Sequence, residues 1–383
     1  MKEIAVIGAG RIGATIADLL SLSGDYAVTL IDRDQATLDR GAAGDRGAAG
    51  DRGAAGDRGA AGDRVTRLAV DLGAGDGLAD LLAGKFALLS AAPFQLTTHI
   101  ASAAVAAGVH YLDLTEDVLS TRTVRALAMR AETALIPQCG LAPGFVSIAA
   151  NDIASGFDSL DAIRLRVGAL PRYPDNALGY NLTWSTDGVI NEYIQPCEAI
   201  VQGERHLVPA LEECERLTVD GVAYEAFNTS GGLGSLCETY AGRVRELNYR
   251  TMRYPGHAAV MKLLLQDLRL AERRHVLRDI LEHALPTTAQ DLVVVFVTVT
   301  GMQAGQLVQE TLARTIQAGS VGGRHRTAIQ LTTAGSICAV LDLLAEGSLP
   351  QAGFVRQEDI PLDAFLENRF GRVFAGQSML LGR

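Results

Sequence analysis

The sequence predicts an α/β protein: a doubly wound parallel sheet, followed by an α+β domain whose sheet is largely antiparallel. Three observations predict it. Short strands rich in β-branched residues alternate with amphipathic helices up to about residue 139. After "CGLAPGFVSIAANDIA" that rhythm stops, and candidate strands follow one another with turn signals between them. The chain has 383 residues, 48% hydrophobic and 20% charged, enough for two or three packed domains.

The first strand, "EIAVI", runs into Gly8-Ala9-Gly10-Arg11-Ile12-Gly13, and a helix with Ile12, Ile16, Leu19 and Leu20 on one face follows. A second strand, "AVTLID", ends at Asp32. Strand, glycine loop, helix and distal acid make the dinucleotide-binding, or Rossmann, fingerprint in its required context. Gly8 permits the tight turn, Gly10 lets backbone N–H groups approach a pyrophosphate, and Gly13 lets the helix pack close to the strand. A carboxylate at Asp32 accepts from a ribose 2′-OH and repels a 2′-phosphate, which favours NAD over NADP. Arg33 is the counter-signal, because a guanidinium there can accommodate that phosphate.

The βα rhythm continues. "VTRLAVDL" is a strand, and Asp71 and Leu72 at its end are expected cofactor contacts. "DGLADLLAG" is a helix. "KFALLSAAP" is a strand ending in Ala91, Ala92 and Pro93, where the nicotinamide half is expected to pass. Helix "TTHIASAAVAAG", strand "VHYLDLT", helix "RTVRALAMRAE" and strand "TALIPQC" complete a dinucleotide-binding domain over 1–142. Residues 41–64 repeat "GAAGDR" four times, between a helix and the strand at Val65. With no apolar residue larger than Ala, the repeat cannot bury enough surface to offset ordering. It reads as a mobile loop on the rim away from the cofactor, tolerated because loop-closure entropy grows slowly with length.

The second domain is expected over 143–326. Its candidate strands are "DAIRLRVGAL", "LGYNLTWS", "CEAIVQG", "RHLVPA", "RLTVDGVAYEAF", "VRELNYRTM", "DLVVVFVTVTG" and "QLVQETLARTI", the last two joined by a hairpin at "GMQAG". "HAAVMKLLLQDL" and "VLRDILEHAL" read as helices. A final helix, "TAGSICAVLDLLAEG", and a tail, together 327–383, are expected to return towards the first domain.

Composition excludes several classes. Net charge is −10 with no basic block, which argues against nucleic acid as a ligand. Cys139, Cys197, Cys214, Cys237 and Cys338 form no CxxC pair and no histidine stands at ligand spacing, so neither a metal site nor a disulfide framework is expected. The chain opens on a strand and no apolar run reaches spanning length, which points to a cytoplasmic protein without a membrane segment.

Polar residues cluster in the second domain beyond what a core needs. "GVINEYIQP" places Asn191, Glu192 and Tyr193 together. "AFNTSGGLGSL" places Asn228, Thr229 and Ser230 before a Gly-rich turn that suits either a phosphate or a helix start. "NYRTMRYPGH" gathers Arg250, Arg253, Tyr254 and His257 around Pro255-Gly256.

At these residues the sequence resembles the saccharopine dehydrogenase-like family, and within it the L-lysine 6-dehydrogenase branch. The likeness is carried by "IGAGRIG", "AAPFQLTTHIASAAVAAGVHYLDLTED", "CGLAPGFVSIAANDIA", "GALPRYPDNALGYNLTWSTDGVINEY", "EAFNTSGGLGSLCETYAG" and "YRTMRYPGHAAVMKLL". It covers nearly the whole chain except the repeat. The resemblance implies a Rossmann domain beside a substrate and dimerisation domain, a homodimer or larger assembly, and NAD-linked oxidation of an amino acid at a carbon bearing nitrogen. Saccharopine reductases carry Asp in "GLDPG", whereas this chain has Ala142, which speaks for the lysine-dehydrogenase branch.

For that chemistry Arg253 suits the substrate α-carboxylate. Glu192 suits an ammonium or the role of general base, with His257 the other candidate base. Thr229, Ser230 and Asn191 suit hydrogen bonds to the substrate. Two alternatives stay open: a saccharopine- or carboxyspermidine-type reductase, in which Arg172 and Arg250 serve further carboxylates, and a non-catalytic NAD-binding regulator.

Overall fold

A run of four apolar residues buried on both faces, Ile4 to Ile7, makes β1 (Lys2–Ile7) a central parallel strand. The computed structural model describes residues 1–43, 65–72, 77–379 and 381. After β1 come α1 (Arg11–Ser23), β2 (Tyr26–Asp32), α2 (Gln35–Ala43), β3 (Val65–Ala69), α3 (Leu78–Leu82), β4 (Ala87–Ser90), α4 (Thr97–Ala107), β5 (His110–Asp113), α5 (Val118–Ala128) and β6 (Ala134–Ile136). They pair in parallel in the order β3-β2-β1-β4-β5-β6. Strand order reverses between β1 and β4, the point where doubly wound sheets bind ligands at their carboxyl ends. The first three residues of the GAAGDR repeat close α2, as a short helical extension of "QATLDR". The expectation of a mobile loop otherwise lies outside the described residues.

The next elements are α6 (Phe145–Ser155), β7 (Ser159–Pro171), α7 (Thr186–Ile194), β8 (Cys197–Val201), β9 (Glu204–Val208), β10 (Glu215–Val219), β11 (Val222–Asn228), α8 (Leu236–Thr239), β12 (Val244–Arg253), α9 (His257–Lys262), α10 (Arg274–Ala284), β13 (Asp291–Gln303) and β14 (Gln306–Gln317). Their sheet runs β10-β11-β12-β7-β13-β14, with the β8–β9 hairpin beside β12. Among the described strands of this sheet, only β7 and β12 pair in parallel. Ala304 and Gly305, with φ of 49° and 77°, make the two-residue hairpin between β13 and β14, whose twist needs positive φ at both positions.

Two expectations change here, and one segment that the sequence left unassigned takes a definite structure. "LGYNLTWS" is not a strand: Gly179 turns the chain at φ 58° and the Asn176 side chain donates to Tyr180 O at 2.8 Å, competing with a ladder. It keeps one isolated bridge, between Leu182 and Thr287. "RLTVDGVAYEAF" is two strands, β10 and β11, turning at Asp220-Gly221. "TDGVINEYI" is helix α7, started by Ser185, whose Oγ accepts from Gly188 N at 3.1 Å.

The chain continues through β15 (Gly319–Val321), β16 (Arg324–Arg326), α11 (Ala328–Ala345), β17 (Gly353–Phe354) and α12 (Leu362–Glu367). β17 extends the parallel sheet beyond β6. The buried Asp291 carboxylate accepts from the N–H groups of Ala328 and Ile329, so α11 begins ahead of "TAGSICAVLDLLAEG". Its 18 residues, at mean hydropathy 1.6, are long and apolar enough to cross a membrane, which corrects the expectation that no run reaches that length. Within the fold α11 is 89% buried, as a core helix is. Two compact units result: Met1–Gly140 with Ser320–His325 and Gln330–Arg383, and Leu141–Gly319 with Arg326–Ile329.

Candidate active site

In the first unit the glycine loop is fixed by contact. A Cβ on Gly8, which has φ 93°, would lie 2.7 Å from the Ala91 carbonyl oxygen, and one on Gly13 would strike the Gly8 carbonyl oxygen. A Cβ on Gly10 would meet open space. Gly10 is the N-cap of α1, and no side chain caps that helix. The loop therefore presents a helix N-terminus to an open cradle, which fits a pyrophosphate. Asp32 braces the loop, accepting from Ala9 N at 2.7 Å and Asp34 N at 3.0 Å.

Around the cradle, Arg11, Arg33, Asp71 and Pro93 are exposed, while Ile12, Ala91 and Ala92 are half-buried. Leu72 is buried in the core beside Ile7, Ile31 and Leu78. At the end of β5, Asp113 is buried and accepts from Tyr111 Oη and from the N–H groups of Thr115 and Gln138; burial pushes its carboxyl up to about 6. Glu116, three residues on, is pushed up to about 7 by burial and then by the nearby Asp117 and Asp113. Sequence reading passed over both.

In the second unit, β11, α7 and the end of β12 converge on Arg253. Its side chain is 2% exposed. Nη1 donates to Met252 O at 2.9 Å, and the buried Nε has no partner. The guanidinium carbon lies 5.0 Å from the centre of the Tyr180 ring and 5.9 Å from that of Tyr193, so the cation sits between aromatic walls. Burial opposes its charge, and Tyr193, Tyr180 and Glu192 more than offset that opposition. Glu192 is itself buried on α7, and its carbonyl accepts from Ser230 N at 3.1 Å, tying that helix to the loop after β11. Thr229 and Thr251 share a hydroxyl–hydroxyl bond of 2.6 Å.

His257 is closed on both sides. Its Nδ1 stands 2.9 Å from the Leu178 carbonyl, so that nitrogen carries the hydrogen, and Nε2 is left to accept from Tyr193 Oη at 3.1 Å. Burial first, then Arg253, lowers its pKa to about 3. Asn191 is held by Arg274 Nη1 at 3.2 Å and by Gln195, which makes it a brace between α7 and α10. Arg250 stands three residues before Arg253, hence on the opposite face of β12, ion-paired to Glu213 at 2.7 Å and Glu215 at 2.5 Å. Arg172 donates to Gln317 Oε1 at 3.1 Å on the surface.

Sequence reading also missed Tyr180, Tyr249 and Glu225. Glu225 pairs in register with Arg253 and accepts from the N–H groups of Gly256 and Ala258, capping α9 and fixing the Pro255-Gly256 turn. The Gly-rich turn leads into helix α8, with Ser235 at its N-cap position but no side-chain cap bond, and a Cβ on Gly232 would run into the Tyr249 ring, so this glycine lets the loop lie on that ring.

The saccharopine dehydrogenase NADP-binding domain family matches residues 4–137, and the saccharopine dehydrogenase C-terminal domain family matches residues 140–371. The chain belongs to the saccharopine dehydrogenase family. An apo, histidine-tagged saccharopine dehydrogenase (L-Glu forming) from Saccharomyces cerevisiae shares the fold at a TM-score of 0.74, with 16% identity over 98% of this chain and 96% of that one. The DAP dehydrogenase of C. glutamicum, in complex with DAP, is a looser likeness, with a TM-score of 0.46 and 10% identity over 98% of each chain. As a saccharopine dehydrogenase family member, the protein is an NAD(P)-binding oxidoreductase acting on amino acid CH–NH groups. The glycine cradle is where its nicotinamide cofactor fits.

Proposed function

We propose that the protein is an NAD-dependent dehydrogenase that oxidises L-lysine at its ε-carbon, giving an imine that hydrolyses to the semialdehyde and cyclises onto the α-amine. The observation that carries this reading is Arg253: a buried guanidinium with an unpartnered Nε, walled by Tyr180 and Tyr193, beside the buried Glu192. One buried cation and one buried carboxylate complement an amino acid zwitterion.

Held at the glycine cradle of Gly8, Gly10 and Gly13, NAD would supply the acceptor for the hydride of the carbon bearing nitrogen. Arg253 holds the α-carboxylate with its Nε and the guanidinium edge. Glu192 draws the ε-ammonium and takes its proton, because nitrogen must be neutral before hydride leaves its carbon. His257 does not take that proton: both ring nitrogens are engaged and its basicity is far below neutral. It orients Tyr193, which walls Arg253. Aromatic walls keep water from the ion pair and strengthen it.

Asp32 supports NAD over NADP, although the matching family is named for NADP. A carboxylate braced at the end of β2, beside the cradle, repels a 2′-phosphate, and Arg33 is exposed. Against the reductase reading, Arg250 is committed to two glutamates on the other face of the sheet and Arg172 is on the surface, so neither supports a second and third substrate carboxylate beside Arg253. The test is product analysis: incubation with L-lysine and NAD should yield the cyclic imine by mass spectrometry together with NADH. NADH from saccharopine but not from lysine sinks the assignment, and turnover of no amine favours the non-catalytic regulator.

A further inference from the structure

The parallel sheet sets its carboxyl ends side by side in the order β2, β1, β4, β5. Asp32 ends β2 and the glycine cradle follows β1, so the adenosine half of a dinucleotide lies towards β2 and the nicotinamide half towards β4 and β5. The cradle abuts the end of β4, since a Cβ on Gly8 would lie 2.7 Å from the Ala91 carbonyl oxygen. β5 pairs with β4 from Ala87↔His110 to Ser90↔Asp113. The loop after β5 therefore starts one strand spacing, about 5 Å, from the loop after β4. Ser120 Oγ donates to Phe94 O at 3.4 Å and ties the two loops together.

Asp113, Glu116 and Asp117 put three carboxylates at this point, and the fold uses two of them. Asp113 accepts from Tyr111 Oη at 2.8 Å, Thr115 N at 3.0 Å and Gln138 N at 2.8 Å. Asp117 caps α5, accepting from Ser120 N at 2.7 Å. Glu116 is different. It is half-buried, and among the described residues its carboxylate receives a hydrogen bond only from its own backbone N–H. Burial, then the nearby Asp117 and Asp113, make it hold its proton close to neutrality. A protonated carboxyl offers one donor beside one acceptor, and a primary carboxamide offers the complement, an acceptor oxygen beside a donor nitrogen. The nicotinamide ring carries such a carboxamide.

We propose that Glu116 is the docking group for the nicotinamide carboxamide, its carboxyl donating to the amide oxygen and accepting from the amide nitrogen. Two parallel bonds orient a planar group as a single bond does not. The assignment rests on the family's nicotinamide cofactor and is independent of the lysine reading.

The experiment is calorimetric titration of the full chain, without substrate, with three ligands: NAD, ADP-ribose, which lacks the ring, and the acetylpyridine analogue of NAD, whose methyl ketone keeps the acceptor but not the donor. Glu116→Ala should raise the Kd for NAD at least about fivefold and leave that for ADP-ribose unchanged. Glu116→Gln keeps a donor beside an acceptor and should stay within about twofold of wild type. Wild type should bind the analogue more weakly than NAD, and Glu116→Ala should narrow that difference. An unchanged NAD Kd in Glu116→Ala, or a wild type that binds the analogue as tightly as NAD, overturns the proposal. Equal losses for NAD and ADP-ribose in Glu116→Ala also overturn it, because the defect then lies at the cradle and not at the ring. So does a Glu116→Gln variant as weak as Glu116→Ala, which would mark the negative charge, and not the paired hydrogen bonds, as what binding needs.

Discussion

Tyr193 donates its hydroxyl hydrogen to Nε2 of His257 across 3.1 Å, inside a shell where both rings are buried. That bond and the Leu178 carbonyl on Nδ1 leave the imidazole no free nitrogen. The histidine beside the Arg253 guanidinium is thereby a neutral spacer, and it holds Tyr193, whose ring centre lies 5.9 Å from the guanidinium carbon.

The first consequence is a pH effect on stability. His257 has a folded pKa of about 3, below its ordinary value of 6.5. The unfolded chain therefore takes up a proton as pH falls below 6.5, while the folded chain does not until about 3. Stability from this residue is fully present above 6.5 and falls through that window by about 1.4 kcal/mol per pH unit. Urea unfolding of wild type and His257→Asn at pH 7.5, 6 and 5 should show a pH slope smaller by close to one proton in the variant. Equal slopes contradict a buried, neutral His257.

Arg253→Ala should raise KM for L-lysine strongly, by roughly 2–3 kcal/mol of lost charge-assisted binding. Arg253→Lys, which keeps the charge but loses the planar fork, should recover only part of it. Circular dichroism of both variants separates lost binding from lost folding, and unchanged KM in a folded variant removes Arg253 from the site.

Glu192→Gln distinguishes two roles. As the base it should lower kcat by roughly 100-fold or more with KM little changed; as an ammonium partner only, it should raise KM with kcat preserved. Wild-type kinetics would leave the carboxylate with neither.

Asp32→Ala should erode the preference for NAD, because repulsion of the 2′-phosphate goes with the carboxylate. Wild type should prefer NAD by at least about tenfold in kcat/KM. Ratios for both cofactors in both proteins are the measurement, and equal use of NAD and NADP by the wild type defeats the assignment.

How much of this was legible in the sequence differs by residue. The glycine loop was legible because its chemistry is local: Gly8 and Gly13 are needed within one turn of chain, and spacing reports that directly. Strand β13 was legible as a long β-branched run, and β7 as Ile163, Leu165 and Val167 alternating with Arg164 and Arg166. Helix α7 was not, since two polar residues, Asn191 and Glu192, interrupt its apolar face and its start depends on the Ser185 cap. The roles of Leu72, Asn191 and His257 were illegible for a common reason. Each depends on which neighbour fills the far side of the residue: the Ile7–Leu78 core, Arg274, and Tyr193 with Leu178. Tyr180 and Glu225 went unnoticed because an aromatic wall and a cap to a distant helix leave no pattern along the chain. Arg250 and Arg253 read as equals in "NYRTMRYPGH", yet their spacing of three in a strand sends them to opposite faces.

The central claim is that one buried cation, Arg253, beside one buried carboxylate, Glu192, selects a simple amino acid with a distal amine. The most direct measurement is the initial rate of NADH formation with L-lysine, L-ornithine, saccharopine and 1,5-diaminopentane, in wild type and Arg253→Ala. The account predicts that L-lysine has the highest kcat/KM. It also predicts that the diamine, lacking a carboxylate, is poor in both proteins, and that Arg253→Ala narrows the gap between them. A wild type that prefers saccharopine, or a lysine-to-diamine ratio untouched by Arg253→Ala, would contradict it.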